Sequence, residues 1–165
     1  MHKVVYLSLG SNLGDRAKNL QQAISALGNF GKVLAVSSIY ETEPVEVTAQ
    51  PWFLNCVVAF DTQKMPKQLL AAILAIEQGM GRKRTQHKGP RSIDIDVLLF
   101  GNAIVDTATL TIPHPAMHQR RFVLEPMAEI APDVRHPVFK RTMRELRDAL
   151  PPGQGVKKLS HGLHA

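Results

Sequence analysis

Two blocks of helical periodicity, each preceded by a strand-like run, limit the folds open to this chain. After KVVYLSLG (Lys3 to Gly10), Leu20, Ala23, Ile24 and Leu27 recur at helix spacing until Gly28 and Gly31 stop the pattern. Leu69, Leu70, Ile73, Leu74 and Ile76 form the second stripe, which Pro66 opens at a first helical turn and which ends near Gly79 and Gly81. Between the blocks, KVLAVSSIYET (Lys32 to Thr42) and WFLNCVVAFDT (Trp52 to Thr62) read as strands, joined by the polar, proline-bounded EPVEVTAQP. After the second block GRKRTQHKGPR has almost nothing to bury and reads as a loop, and SIDIDVLLF follows as a strand. Strand, helix, strand, strand, helix, strand is the split-βαβ order. The expected class is α+β, with a ferredoxin-like core in which helices cover a largely antiparallel sheet.

Beyond this core, IVDTATLTIPHP suggests one or two short edge strands, because Pro113 and Pro115 deny continued pairing. MHQRRFVLEPMAEI suggests a helix interrupted around Pro126. Thr142 and Glu145 have capping-box spacing for a last helix that Pro151 and Pro152 end. GQGVKKLSHGLHA offers no core face. The reading is one domain over residues 1–152 and a mobile C-terminal tail over 153–165.

No apolar run approaches the roughly 18 residues of a membrane span, and Val4 to Leu9 is followed by SNLGDR rather than a small-residue cleavage site. A soluble protein without membrane association is expected. The single Cys56 has no disulfide partner and sits among apolar neighbours, which fits a reducing cytoplasm. Lys and Arg outnumber Asp and Glu by 20 to 14, so the field favours an anionic partner. Aromatics are 5% of residues and are not interleaved with basic ones, which argues for a small polyphosphate and against nucleic acid.

GPRSIDIDVLLF (Gly89 to Phe100) carries two aspartates inside an apolar strand. Side chains alternate across a strand, which predicts Ile93, Ile95, Val97 and Leu99 on one face and Asp94, Asp96, Leu98 and Phe100 on the other. With about 3.3 Å per residue the two aspartate Cα atoms lie roughly 6.6 Å apart, within reach of a common cation. Mg²⁺ takes one or two carboxylates together with substrate phosphates and water, which such a pair offers. Two solvated charges on an edge strand would give the same alternation. Arg82, Lys83, Arg84, Lys88 and Arg91 precede the pair, however, and could hold phosphate oxygens beside a metal.

Other chemistry is absent. GSNLGDR lacks the Gly-Lys-Ser/Thr of a P-loop and reads as a cap for the first helix, and there is no GxSxG elbow. His114 and His118 have zinc-like spacing but no third ligand, and His114 ahead of Arg120 and Arg121 reads better as a phosphate contact. Paired aspartates on a ferredoxin-like palm also suit a two-metal nucleotidyltransferase or nuclease, and fold with net charge suit an RNA-binding module.

GPRSIDIDVLLFG closely resembles the signature of the 6-hydroxymethyl-7,8-dihydropterin pyrophosphokinase family of folate biosynthesis. YLSLGSNLGDR, SSIYETEPV, QPWFLNCV, IEQGMGR and TIPHPAMHQRRFVLEPMAEIAP resemble further family blocks in the same order, from about Tyr6 to Pro132. The resemblance implies a three-layer α/β/α fold and transfer of diphosphate from ATP to the pterin hydroxymethyl oxygen, releasing AMP. It implies two Mg²⁺ ions on Asp94 and Asp96, with Arg82 and Arg84 closing over the phosphates as catalytic residues. ATP contacts fall by resemblance on Leu70, Glu77, Arg82, Arg84, Arg91, Val97, Thr111, His114 and Arg120, and pterin contacts on Thr42, Val45, Phe53, Asn55 and Phe122. Phe53 stands where many members have tyrosine, Lys88 where tryptophan is frequent, and Pro115 where some have tyrosine. The family precedent implies a monomer that takes the two small molecules and no nucleic acid.

Overall fold

The computed structural model describes residues 3–43, 51–81, 91–160 and 162–165. The predicted order is present: β1 (Lys3–Ser11), α1 (Arg16–Leu27), β2 (Lys32–Val36), β3 (Tyr40–Thr42), β4 (Phe53–Thr62), α2 (Pro66–Gly79) and β5 (Asp94–Phe100). A hairpin of β6 (Val105–Asp106) and β7 (Thr111–Ile112), a 3-10 turn Met117–Gln119, α3 (Arg121–Ile130), α4 (Met143–Asp148) and β8 (Val156–Lys158) follow. Among these elements no helix is long and apolar enough to cross a membrane.

The main sheet runs β5-β1-β4-β3-β8, with β2 also on β4, and its paired strands are antiparallel. This is the α+β, ferredoxin-like arrangement expected from the element order. Strand alternation sends Val5, Leu7, Leu9, Cys56, Val58 and Phe60 to one side, where the stripes of α1 and α2 cover them. On the other side Tyr6, Val57, Leu98 and Leu99 meet Val123, Leu124 and Met127 of α3, with Met143 and Leu146 of α4 behind. Each such side chain taken fully from water contributes about 1.5–3 kcal/mol. The helix starts are specified locally. Asp15 caps α1 by accepting from the Lys18 N–H, and Thr142 and Glu145 form the reciprocal capping box of α4.

Four expectations need correction. The strand read over Lys32–Thr42 is two strands, because the chain steps off β4 at Ser37 to Ile39; there the Ser37 hydroxyl accepts the Val57 N–H while the Ser37 N–H donates to the Val57 carbonyl. Strict alternation fails in β5. Its pairing with β1 shifts between Leu7↔Val97 and Tyr6↔Leu99, leaving Leu98 as an extra residue. The bulge turns the strand over, so Phe100 joins Ile95 and Val97 in the α1 and α2 core while Leu98 and Leu99 face α3.

The helix expected to break at Pro126 runs through it and starts at Arg121, after the 3-10 turn. Proline deletes only its own donor to the Phe122 carbonyl, and the buried Val123, Leu124, Met127 and Ala128 hold the helix on the sheet. Finally, the segment expected to trail as a tail is built into the fold. β8 pairs with β3, and Leu159 and Leu163 pack on the α1 and α2 core. The His164 N–H and carbonyl both bond the Gln21 side chain on α1. Strand addition uses main-chain groups and needs no apolar face.

Candidate active site

One row of side chains crosses the sheet on its α3 side: Asp94 opposite Gly10, Gly10 opposite Asn55, Asn55 opposite Tyr40. The next rows put Asp96 opposite Ser8, and Phe53 opposite Thr42. Both aspartates are half-buried, as the period-2 pattern requires ahead of the bulge. At the bulge the Leu98 carbonyl accepts the His114 N–H (3.0 Å), tethering the His114 segment to the same strand.

The basic groups gather around the acidic pair. Arg91 Nη1 donates to Asp94 Oδ2 at 2.8 Å with 14% of its side chain exposed, and its Nε is buried without a hydrogen-bond partner among the described residues. A buried donor left unmatched costs about 1–3 kcal/mol, so an anion at this point would be favoured. Burial, followed by the charge of Arg120, pushes His114 down to about 4 against an upward pull from Asp94. The ring is therefore neutral near pH 7. Its Nδ1 accepts the Ala116 N–H (3.1 Å), leaving the proton on Nε2 as a donor. The Arg120 guanidinium lies 5.5 Å from the Phe122 ring centre, a cation–π contact at the start of α3.

Across Gly10 the groups are neutral. The Thr42 hydroxyl donates to Asn55 Oδ1 at 2.6 Å, and Asn55 is 5% exposed. With its oxygen occupied, the amide presents Nδ2 above Gly10, where a Cβ would lie 2.9 Å from Nδ2 and 3.4 Å from the Phe53 ring. Gly10 therefore makes room for both. In the sequence Gly10 both ends the strand-like run from Lys3 and opens the helix-capping GSNLGDR, and a glycine in a strand pattern signals close approach.

The other ATP-site candidates stand apart from this face. Glu77 is buried on α2, and its Oε2 accepts the Ile95 N–H (2.9 Å) at the open edge of β5. Val97 is 6% exposed in the α1 and α2 core, Leu70 is half-buried on α2, and Thr111 is exposed on β7 beside β5. Arg82, Arg84, Lys88 and Val45 lie outside the described residues.

Two half-buried carboxylates are hard oxygen donors, and no cluster of three or more histidines, cysteines and carboxylates surrounds them among the described residues. Such a pair fits Mg²⁺ that draws its other ligands from phosphate and water, and does not fit a closed zinc site.

Residues 6–132 match the model of the 7,8-dihydro-6-hydroxymethylpterin-pyrophosphokinase (HPPK) family. The chain belongs to this family. It is 41% identical over 157 residues to the 2-amino-4-hydroxy-6-hydroxymethyldihydropteridine pyrophosphokinase of Pseudomonas aeruginosa, spanning 94% of this chain and 96% of the relative. The Bacillus subtilis protein of that name is 44% identical over 136 residues, 81% of each chain. Identity to the folic acid synthesis protein fol1 of Schizosaccharomyces pombe is 43% over 161 residues, 96% of this HPPK chain but 22% of that protein. The chain thus spans about a fifth of the length of the fungal relatives it matches, the Pneumocystis carinii protein included. Among solved structures, a crystal structure of an HPPK-DHPS in complex with substrates superposes with TM-score 0.71 at 17% identity, over 90% of this chain and 43% of that one. This likeness establishes the fold. Neither the nucleotidyltransferase nor the RNA-binding reading is favoured by these relatives.

Proposed function

We propose that the protein transfers the terminal diphosphate of ATP to the hydroxymethyl group of 6-hydroxymethyl-7,8-dihydropterin, releasing AMP, as a step of folate biosynthesis. The observation that carries this reading is the row Asp94, Gly10, Asn55. An acidic pair within an anion-binding cluster stands across β1 from a fixed amide and an aromatic ring, so an anionic and a flat, neutral partner can meet over Gly10.

In the reaction the pterin hydroxymethyl oxygen forms a bond to the β-phosphorus, the bond from that phosphorus to the α-β bridging oxygen breaks, and the hydroxyl proton is lost. Positioning and charge neutralisation carry most of such a transfer. Asp94 and Asp96 would hold Mg²⁺, which when bound neutralises triphosphate charge and aligns the reacting oxygens. Arg91, bonded to Asp94 through Nη1 and with its Nε unmatched among the described residues, is placed to donate to a phosphate oxygen. His114 donates from Nε2 as a neutral group, and Arg120 adds charge while stacking on Phe122. Phe53 and Phe122 flank the pterin ring, and Asn55 Nδ2 donates to its edge. Arg82 and Arg84 are assigned to the phosphates by resemblance, with Leu70, Glu77, Val97 and Thr111 toward the nucleoside, and Thr42 and Val45 toward the pterin.

The protein acts as a monomer in the cytoplasm, without nucleic acid or membrane. The fully buried free thiol of Cys56, raised to about 12 by burial, is compatible with a reducing compartment. Incubation with ATP, Mg²⁺ and the hydroxymethyl dihydropterin tests the reaction. AMP and the pterin diphosphate are expected in equal amounts. Release of ADP, or of AMP independently of pterin, would overturn the reading.

A further inference from the structure

Asn12 lies one residue beyond β1 and is fully buried, although it carries an amide. That amide and its own main chain are spent on two distant segments. The Asn12 N–H donates to the Arg91 carbonyl (3.0 Å), and the Arg91 N–H donates back to Asn12 Oδ1 (2.7 Å). Nδ2 donates to the carbonyl of Pro51 (3.1 Å). The reciprocal pair lies just past the Gly10↔Asp94 end of the β1–β5 ladder, one residue out of its register, with a side-chain oxygen in place of a backbone one.

What these partners hold gives the residue its significance. Arg91 bonds Asp94 at 2.8 Å, so the Arg91 main chain fixes the anion-binding side of the site. Pro51 leads directly into Trp52 and Phe53, and the Trp52 carbonyl is itself held by Arg16 Nη1 (2.8 Å), so Pro51 fixes the approach to the aromatic side. We propose that Asn12 is a positioning residue that sets the spacing between the phosphate half and the pterin half of the site. The inference rests on the reaction proposed above. Asn12 touches neither substrate. It acts through Arg91 and Pro51, and a reaction governed by in-line alignment is sensitive to displacements of about 1 Å.

Asn19 supplies the control. Its Nδ2 donates to Ser11 Oγ (3.2 Å) and to the Leu13 carbonyl (2.8 Å), bonds of the same kind in the same turn that reach neither half-site. Asn12→Ala should raise the KM for ATP and for the pterin at least tenfold each and lower kcat, whereas Asn19→Ala should lower the melting temperature with both KM values within twofold of wild type. Asn12→Asp is isosteric and keeps the acceptor for the Arg91 N–H while losing the donor to Pro51. It should raise the pterin KM more than the ATP KM, and it decides the matter if the alanine variant does not fold. Equilibrium binding of α,β-methylene-ATP and of the pterin reads the same pattern without turnover.

Unchanged KM and binding in folded Asn12→Ala, equal shifts in Asn19→Ala, or an ATP-first shift in Asn12→Asp would overturn the proposal. Wild-type turnover is measured separately. Its absence would count against the reaction, and the affinity pattern among the variants judges Asn12.

Discussion

The α3 side of the sheet has two ends built from the same strands and opposite in character. At one end Tyr6, Val57, Leu98 and Leu99 disappear beneath Val123, Leu124 and Met127. At the other, Ser8, Gly10, Thr42, Asn55, Asp94 and Asp96 stand in neighbouring rows, and hydrogen bonds rather than apolar contacts fix them. The closed end shares with the α1 and α2 face the task of removing apolar area from water. The polar end buries little apolar surface, which leaves its residues open to selection for geometry and charge. Stability and chemistry are thus divided along single strands, and the Leu98 bulge in β5 marks the division.

Substitutions at the two ends should therefore separate activity from stability. Asp96→Ala is expected to lower kcat/KM at least a thousandfold, about 4 kcal/mol in the barrier, while shifting the melting temperature by no more than a few degrees. Steady-state kinetics beside thermal unfolding checks both. Leu124→Ala, at a fully buried position of the closed end, should cost about 3 kcal/mol in denaturant unfolding and leave kcat/KM per folded molecule within twofold. A large loss of specific activity there would show that the two ends are not separable.

Gly10→Ala sharpens the contrast within the polar end. The new methyl would press on the Asn55 amide and the Phe53 ring, so the pterin KM should rise about tenfold, roughly 1.4 kcal/mol, with the ATP KM nearly unchanged. Equal effects on both substrates would mean that Gly10 does not divide their sites.

A further effect concerns acid. His114 is depressed from 6.5 to about 4, chiefly by burial and then by Arg120, so the unfolded chain takes up a proton before the folded one does. Its contribution to stability is full above about pH 6.5 and is lost as pH falls toward 4. Allowing for its partial exposure, the loss is about 1–2 kcal/mol. His114→Gln should flatten unfolding free energy against pH over this window. His136, also depressed by burial and by His118, remains in both proteins as a common background.

The parts legible in the sequence were those written as local periodicity. The stripes of α1 and α2, the Thr142–Glu145 cap and the alternation that pairs Asp94 with Asp96 needed only neighbours in the chain. The bulge at Leu98 left no mark because any apolar residue can be the extra one, and it reversed the expected sides of Leu99 and Phe100. β8 was missed because main-chain pairing selects no side-chain pattern. Gly10 and Asn12 were quoted in the sequence without their roles, since Asn12 meets partners 39 and 79 positions away. The bond from the Ile95 N–H to the Glu77 carboxylate, across 18 positions, likewise leaves no local pattern in the chain.

The pairing of β8 with β3 has a practical side. A chain trimmed before Val156, a natural choice for someone who takes the last residues for a loose end, would strip the cover from the Tyr40–Thr42 edge. Uncovered strand edges pair with one another. Such a shortened protein should lose solubility on storage at high concentration before it loses catalysis, and light scattering over days would register the change while a fresh assay would not.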